Sequence, residues 1–219
     1  GGTVVANYLN STNSNVIVTV PIPNDASISG GTLQIRAKVS GGAFENVGSS
    51  ASISSVNTNQ SITLTDDDIE GITGYAEGAT IVFTAVITDA SGNSTTGTQS
   101  NTTLAVDQTA PIISEAAAVS TPTTDNTPTF TITSDEAGAI TVSRTITSPN
   151  PANAISGDTD ITFDTLAAGT YDSETVTVTD ATVTDAGTVA VAVAVAVAVA
   201  IAIAVAMTVT MTTTTTMTM

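Results

Sequence analysis

Leu33-Gln34-Ile35-Arg36-Ala37-Lys38-Val39 decides how the rest of the chain is read. Leu33, Ile35, Ala37 and Val39 fall on one side of an extended backbone; Gln34, Arg36 and Lys38 fall on the other. Successive side chains of a strand point to opposite faces, so this period of two makes a strand with one buried face. Working outward, Gly41-Gly42 turns the chain, and residues 43–47 form the hairpin partner. Upstream, Asn24-Asp25 and Gly30-Gly31 make turns. Before them, residues 16–20 (Val-Ile-Val-Thr-Val) form a strand. Pro21 and Pro23 stop it, because proline removes a backbone donor.

Downstream the theme continues. Ile53 with Val56, and Ile62 with Leu64, mark two further short strands. Thr65-Asp66-Asp67-Asp68 opens a helical turn over residues 66–74. Ile81, Phe83, Ala85 and Ile87 then alternate with Val82, Thr84, Val86 and Thr88. That strand is apolar on much of both faces, which places it centrally in a sheet. Asp89-Ala90-Ser91-Gly92-Asn93 is a hairpin turn, and residues 102–106 return as the last strand of this half. Helical periodicity is absent, and no crossover helices exist for a parallel α/β sheet. Short strands with turns about every 8–12 residues predict an all-β immunoglobulin-type sandwich.

Composition narrows the function. The chain has 219 residues, enough for one or two domains. Twenty acidic side chains face three basic ones, Arg36, Lys38 and Arg144, for a net charge of −17. Nothing basic is available to displace counterions from phosphates, so nucleic acid is excluded as a partner. Anionic membrane surfaces are disfavoured for the same reason. Cysteine is absent, so there is no disulfide framework or thiol chemistry. Histidine is absent too, which removes the usual base near neutral pH, the Ser-His-Asp triad and most zinc sites. Aromatic residues make up only 3%, too few to line a sugar or base platform. Paired carboxylates can hydrolyse glycosides, but nothing here predicts a cleft around them, so no enzyme is expected.

Four segments together look like bacterial immunoglobulin-like tandem repeats. They are residues 31–39 (Gly-Thr-Leu-Gln-Ile-Arg-Ala-Lys-Val), residues 74–78 (Gly-Tyr-Ala-Glu-Gly), residues 83–94 (Phe-Thr-Ala-Val-Ile-Thr-Asp-Ala-Ser-Gly-Asn-Ser) and residues 106–111 (Val-Asp-Gln-Thr-Ala-Pro). The resemblance spans about residues 3–180. It implies two sandwiches in series about residues 106–111, in a bacterial surface adhesin or extracellular filament. It implies a secreted or cell-surface location and partners that are other copies or neighbouring repeats. It supplies no catalytic residue. On this reading residues 1–107 are the first sandwich, 108–188 a second and possibly incomplete one, and 189–219 a low-complexity tail.

The second half repeats the pattern in different words. Phe130 and Ile132 share one strand, and residues 134–138 form a turn. Ile140, Val142 and Ile146 continue the inward face, with Arg144 in phase near a sheet end. Ile161 and Phe163 mark another strand. Leu166-Ala167-Ala168-Gly169-Thr170-Tyr171, ahead of Val176 and Val178, again resembles the family. There the tyrosine hydroxyl can brace the turn before the penultimate strand. Tyr75 is the equivalent candidate in the first half, and a plain half-buried tyrosine is the alternative for both. After Asp180-Ala181 the expected Gly-Asn turn is missing, and residues 182–187 look like a second attempt at it.

Residues 189–207 are nineteen positions without one polar side chain, almost strictly Val/Ala or Ile/Ala, and residues 208–219 are nearly all Thr and Met. Three readings stand open. A helix of that length spans about 28 Å at ~1.5 Å per residue, enough for a membrane, but lacks Lys, Arg, Trp or Tyr anchors at its ends. A strand spans about 60 Å at ~3.3 Å per residue. Its first part could close the second sandwich, and the remainder could insert into a neighbour by β-augmentation. The third reading is low-complexity filler in an artificial or poorly assigned sequence. Strict alternation with β-branched residues favours the strand.

Carboxylates are the only ionisable resource for a ligand. Calcium takes six to eight oxygens, and loops supply carboxylates and carbonyls together. Asp107 at the hinge, with Asp25 or Asp89 brought near by folding, is the candidate Ca²⁺ set. Asp66, Asp67, Asp68, Asp135 and Glu136 are further candidates. Set against this, Asp in turns commonly caps backbone N–H groups, and no recognised calcium motif is present. Asn10, Asn59, Asn93 and Asn101 sit in Asn-x-Ser/Thr sequons, at a frequency that chance explains in so Ser/Thr-rich a chain. A second function class remains beside the structural one: an accessory spacer or binding module of a secreted protein.

Overall fold

The computed structural model describes residues 3–143, 150–180 and 186–195. The chain divides into two compact units, Gly1–Thr109 and Ala110–Met219. Among the described residues the regular structure is almost wholly β, so the protein is all-β.

The first unit holds β1 (Tyr8–Leu9), β2 (Asn15–Ile22), β3 (Thr32–Val39), β4 (Glu45–Asn46), β5 (Ala51–Ser52) and β6 (Thr58–Thr65). It continues with α1 (Asp66–Glu70), β7 (Thr80–Thr88), β8 (Ser94–Thr96) and β9 (Leu104–Val106). One sheet runs β1-β9-β7-β3-β4, with β5 also on β3 and β8 also on β7; β2 and β6 form a separate pair. β3 behaves as its alternation predicts: Leu33, Ile35 and Ala37 are buried, while Gln34, Arg36 and Lys38 are half-exposed. The two cations both reach Phe44. Arg36 Nη2 donates to the Phe44 carbonyl, and Lys38 Nζ stands 4.9 Å from the ring centre. β7 is central, with β3 on one side and β8 and β9 on the other. Accordingly Ile81, Val82, Phe83 and Thr84 are buried in succession, on both faces.

Ile35, Ala37, Ile81 and Phe83 of the large sheet share one apolar cluster with Leu64 of β6, and Val16, Val18 and Val20 of β2 pack against it. Two sheets thus cover one core. β2 does not stop at Pro21: it runs to Ile22, with Pro21 opposite Asn59. Among the described residues β2 pairs only with β6, and at an edge every second N–H points away from the partner, so proline is tolerated there. The strand expected around Ile53 and Val56 shrinks to β5, while Ile53 itself fills a second cluster with Ile22, Leu33 and Ile87. The helical turn after Thr65 is real. Thr65 Oγ1 accepts from the Asp68 N–H, and the Asp68 carboxylate accepts from the Thr65 N–H, a reciprocal cap.

The second unit holds β10 (Ile113–Ala117), β11 (Thr129–Ser134), β12 (Gly138–Val142) and β13 (Asn153–Ala154). β14 (Gly157–Thr162), β15 (Gly169–Thr179) and β16 (Ala186–Val195) follow. Its sheets are β10-β11-β14 and β13-β12-β15-β16. Phe130, Ile132 and Ile161 from the first meet Ile140, Val176 and Val178 from the second in one cluster. β16 pairs antiparallel with β15 from Ala186 opposite Thr179 to Val195 opposite Gly169, with one irregularity between Tyr171 and Glu174. The start of the alternating run is therefore strand, not helix. Among the described residues no helix is long and apolar enough to cross a membrane. The readings made for Arg144 and Ile146, for most of the turn after Asp180, and for the tail from residue 196 onward lie outside the described residues.

Candidate functional site: acidic turns and the open edge of the first unit

The acidic residues come first, because the sequence singled them out. Asp25 ends the loop after β2, and its carboxylate accepts from the Ser27 N–H at 2.9 Å and the Ser27 hydroxyl at 2.8 Å. These bonds, the backbone one foremost, hold its carboxyl below the usual range, while the charge of Asp89 works the other way. Asp89 closes the β7–β8 hairpin. It accepts from Asn93 Nδ2 and the Asn93 N–H, both at 2.8 Å, and from the Ser91 N–H at 2.9 Å. The Asn93 side chain is the first cause of its lowered pKa. The chain passes close here: a Cβ on Gly31 would lie 2.1 Å from the Thr88 carbonyl oxygen, so only glycine fits.

Asp107 lies elsewhere. It follows β9, and its N–H donates to the Leu9 carbonyl at 2.9 Å. β9 pairs with Thr80 and Ile81, the first residues of β7, whereas Asp89 follows the last. Nine strand residues at ~3.3 Å each put about 30 Å between the two ends. Folding brings Asp25 near Asp89 but does not bring Asp107 to either, so the three do not make one cation site. Asp68 is engaged in the cap of α1, and Asp135 accepts from the Ile112 N–H at 2.7 Å. These carboxylates act chiefly on their own backbone.

The two tyrosines diverge. Tyr171 Oη donates to the Ala167 carbonyl at 3.0 Å, bracing the turn that leads into β15. Tyr75 Oη is buried without a hydrogen bond of ordinary geometry. Burial first, then the negative charges of Glu70, Asp66 and Glu77, push the Tyr75 phenol up to about 12, against a weaker opposing effect of the Gln108 side chain. Among the sequons, Asn10 is fully buried, and its amide is spent on Thr3 and Thr12.

The feature that sequence reasoning missed is a groove along β2. About 420 Å³ of space lies between residues 18–23 and the facing wall of Phe83, Ala85, Ile87 and residues 95–101. A second groove of about 420 Å³ borders the start of β2, between Asn15-Val16-Ile17 and residues 4–9. Val4 and Ile17 are largely exposed there. No lining residue of either groove is charged. The grooves exist because β1 joins β9, in parallel, and leaves the outer edge of β2 unpaired by any described strand. The alternation of Val16, Val18 and Val20 could signal a strand. No sequence signal says which edge the short β1 segment joins.

No protein-family model matches the sequence, and no curated protein matches it. Among solved structures, the chain is similar to one in the crystal structure of the CsuC–CsuE chaperone–tip adhesion subunit pre-assembly complex from archaic chaperone-usher Csu pili of Acinetobacter baumannii. The match is 8% identical, covers 86% of this chain and 95% of that one, and has a TM-score of 0.24. A likeness that loose carries no argument.

Proposed function

We propose that this chain is a structural repeat unit of an extracellular bacterial surface adhesin or filament. Each unit is an immunoglobulin-like sandwich, and copies are joined by strand exchange through the tail. Its work is mechanical: sheet hydrogen bonds and two apolar cores carry load. No catalytic role is assigned. The chain offers neither His nor Cys, and the carboxylates singled out from the sequence are largely bound into turns and caps.

One observation carries the reading. Among the described residues the β15–β16 ladder runs to Gly169 opposite Val195, and the Val/Ala and Ile/Ala alternation continues through Ala206. Gly169 is the first residue of β15. An alternating apolar segment longer than the strand beside it is a template for another sheet. The test is light scattering behind size exclusion, with negative-stain micrographs, across a concentration series. Linear multimers that grow with concentration are expected. A compact monomer at every concentration would overturn the proposal.

A further inference from the structure

We infer that the outer edge of β2 is the acceptor, and that its occupant is the alternating run 196–206 of a second copy. The inference rests on the strand-exchange reading and says where the exchanged strand goes.

Three observations converge. First, β2 is an eight-residue strand paired, among the described residues, on one side only, and such an edge accepts a further strand through its backbone. Secondly, both grooves flank this edge, one at residues 15–17 and one at residues 18–23, so it is bordered along its whole length. The inner wall of the longer groove is apolar: Val18, Val20, Phe83, Ala85 and Ile87. Thirdly, charge matches. On a chain of net charge −17, both grooves are neutral and residues 186–219 contain no charged side chain. A strand carrying carboxylates would meet repulsion from the rest of the molecule, and this segment meets none. Alternation supplies the remaining fit. With period two, Val or Ile side chains enter the groove while the Ala face stays outside. The eleven residues 196–206 exceed the eight of β2, so the whole edge can be covered.

The chain has no cysteine, so introduced thiols report cleanly. Thr19 is exposed midway along β2, and Thr63 is exposed on β6, whose outer edge is the competing one. Full-length Thr19→Cys and full-length Ala202→Cys, carrying different tags, are mixed and oxidised, with Thr63→Cys replacing Thr19→Cys as the control. A mixed disulfide between T19C and A202C should form roughly tenfold or more faster than with T63C, because docking raises the local thiol concentration. Cutting the chain after Val195 should abolish multimers without unfolding either unit, read by circular dichroism. Equal rates for T19C and T63C, with multimers intact, overturn the β2 assignment and leave strand exchange standing. In a double variant carrying both Thr19→Cys and Ala202→Cys, a disulfide formed only within one chain overturns the second copy as donor. A monomer in every arm overturns the reading beneath both.

Discussion

The two tyrosines make the same chemical change act with opposite sign. Tyr171→Phe removes the bond to the Ala167 carbonyl and should cost about 1 kcal/mol by urea unfolding. Tyr75→Phe removes a buried hydroxyl that has only the weak Gln108 contact to lose, so it should be neutral or stabilising in the same assay. The sequence placed both tyrosines before strands. It could not separate them, because the bond depends on where one carbonyl four residues back points. Tyr75 also sets a pH limit. Its folded pKa, about 12, lies above the ordinary phenol value of 10.0, so the folded state holds the phenol proton more tightly. The associated stability is whole below pH 10 and is lost as pH rises through 12. A phenolate absorbance titration should show a late step that Tyr75→Phe deletes. Asp89 has the reverse sign: its lowered folded pKa gives stability that is present above the ordinary carboxylate pKa and lost as pH falls through the folded one. Asp89→Asn keeps an acceptor for the Ser91 and Asn93 N–H groups and should flatten that acid limb of the stability curve.

At the scale of elements, pattern was legible where burial enforces it. β3 and β7 were readable because one-sided and two-sided burial leave different alternations, and both strands carry the core. Ile35→Ala in β3 should therefore cost about 2–5 kcal/mol, a loss that an exposed β2 change such as Ile17→Thr should not approach. The turn after Thr65 was readable from its run of acidic, turn-prone residues, whereas the reciprocal cap between Thr65 and Asp68 emerged only in the structure. Thr65→Ala should cost about 1 kcal/mol, seen as a lower denaturation midpoint with unchanged slope. Two further details were not legible. Proline was expected to end β2, but a strand paired on one side only among the described residues keeps it. Asp25, Asp89 and Asp107 were expected to converge, but convergence depends on which end of β7 each loop leaves. Local sequence carries strand identity and turn chemistry; it does not carry pairing order, and the candidate site is a product of pairing order.

For the whole molecule, the decisive quantity is charge set against an uncharged contact. Every copy carries −17, so two copies repel until their fields are screened, while the contact proposed between them contains no charge. Screening length falls from about 10 Å at 0.1 M salt to about 3 Å at 1 M. Adding sodium chloride should therefore speed assembly and leave the final contact intact, because nothing in the contact is itself ionic. Mild acid offers an independent route to the same end. Carboxylates lose charge as pH falls toward about 4, and assembly at low salt should accelerate over that span. The two treatments should also substitute for each other: once acid has removed the repulsion, salt should add little. Stopped-flow light scattering on a grid of salt and pH reads this directly. Assembly that slows or reverses with added salt would mean that opposite charges hold the copies together. That outcome cannot coexist with a neutral strand seated beside a neutral edge.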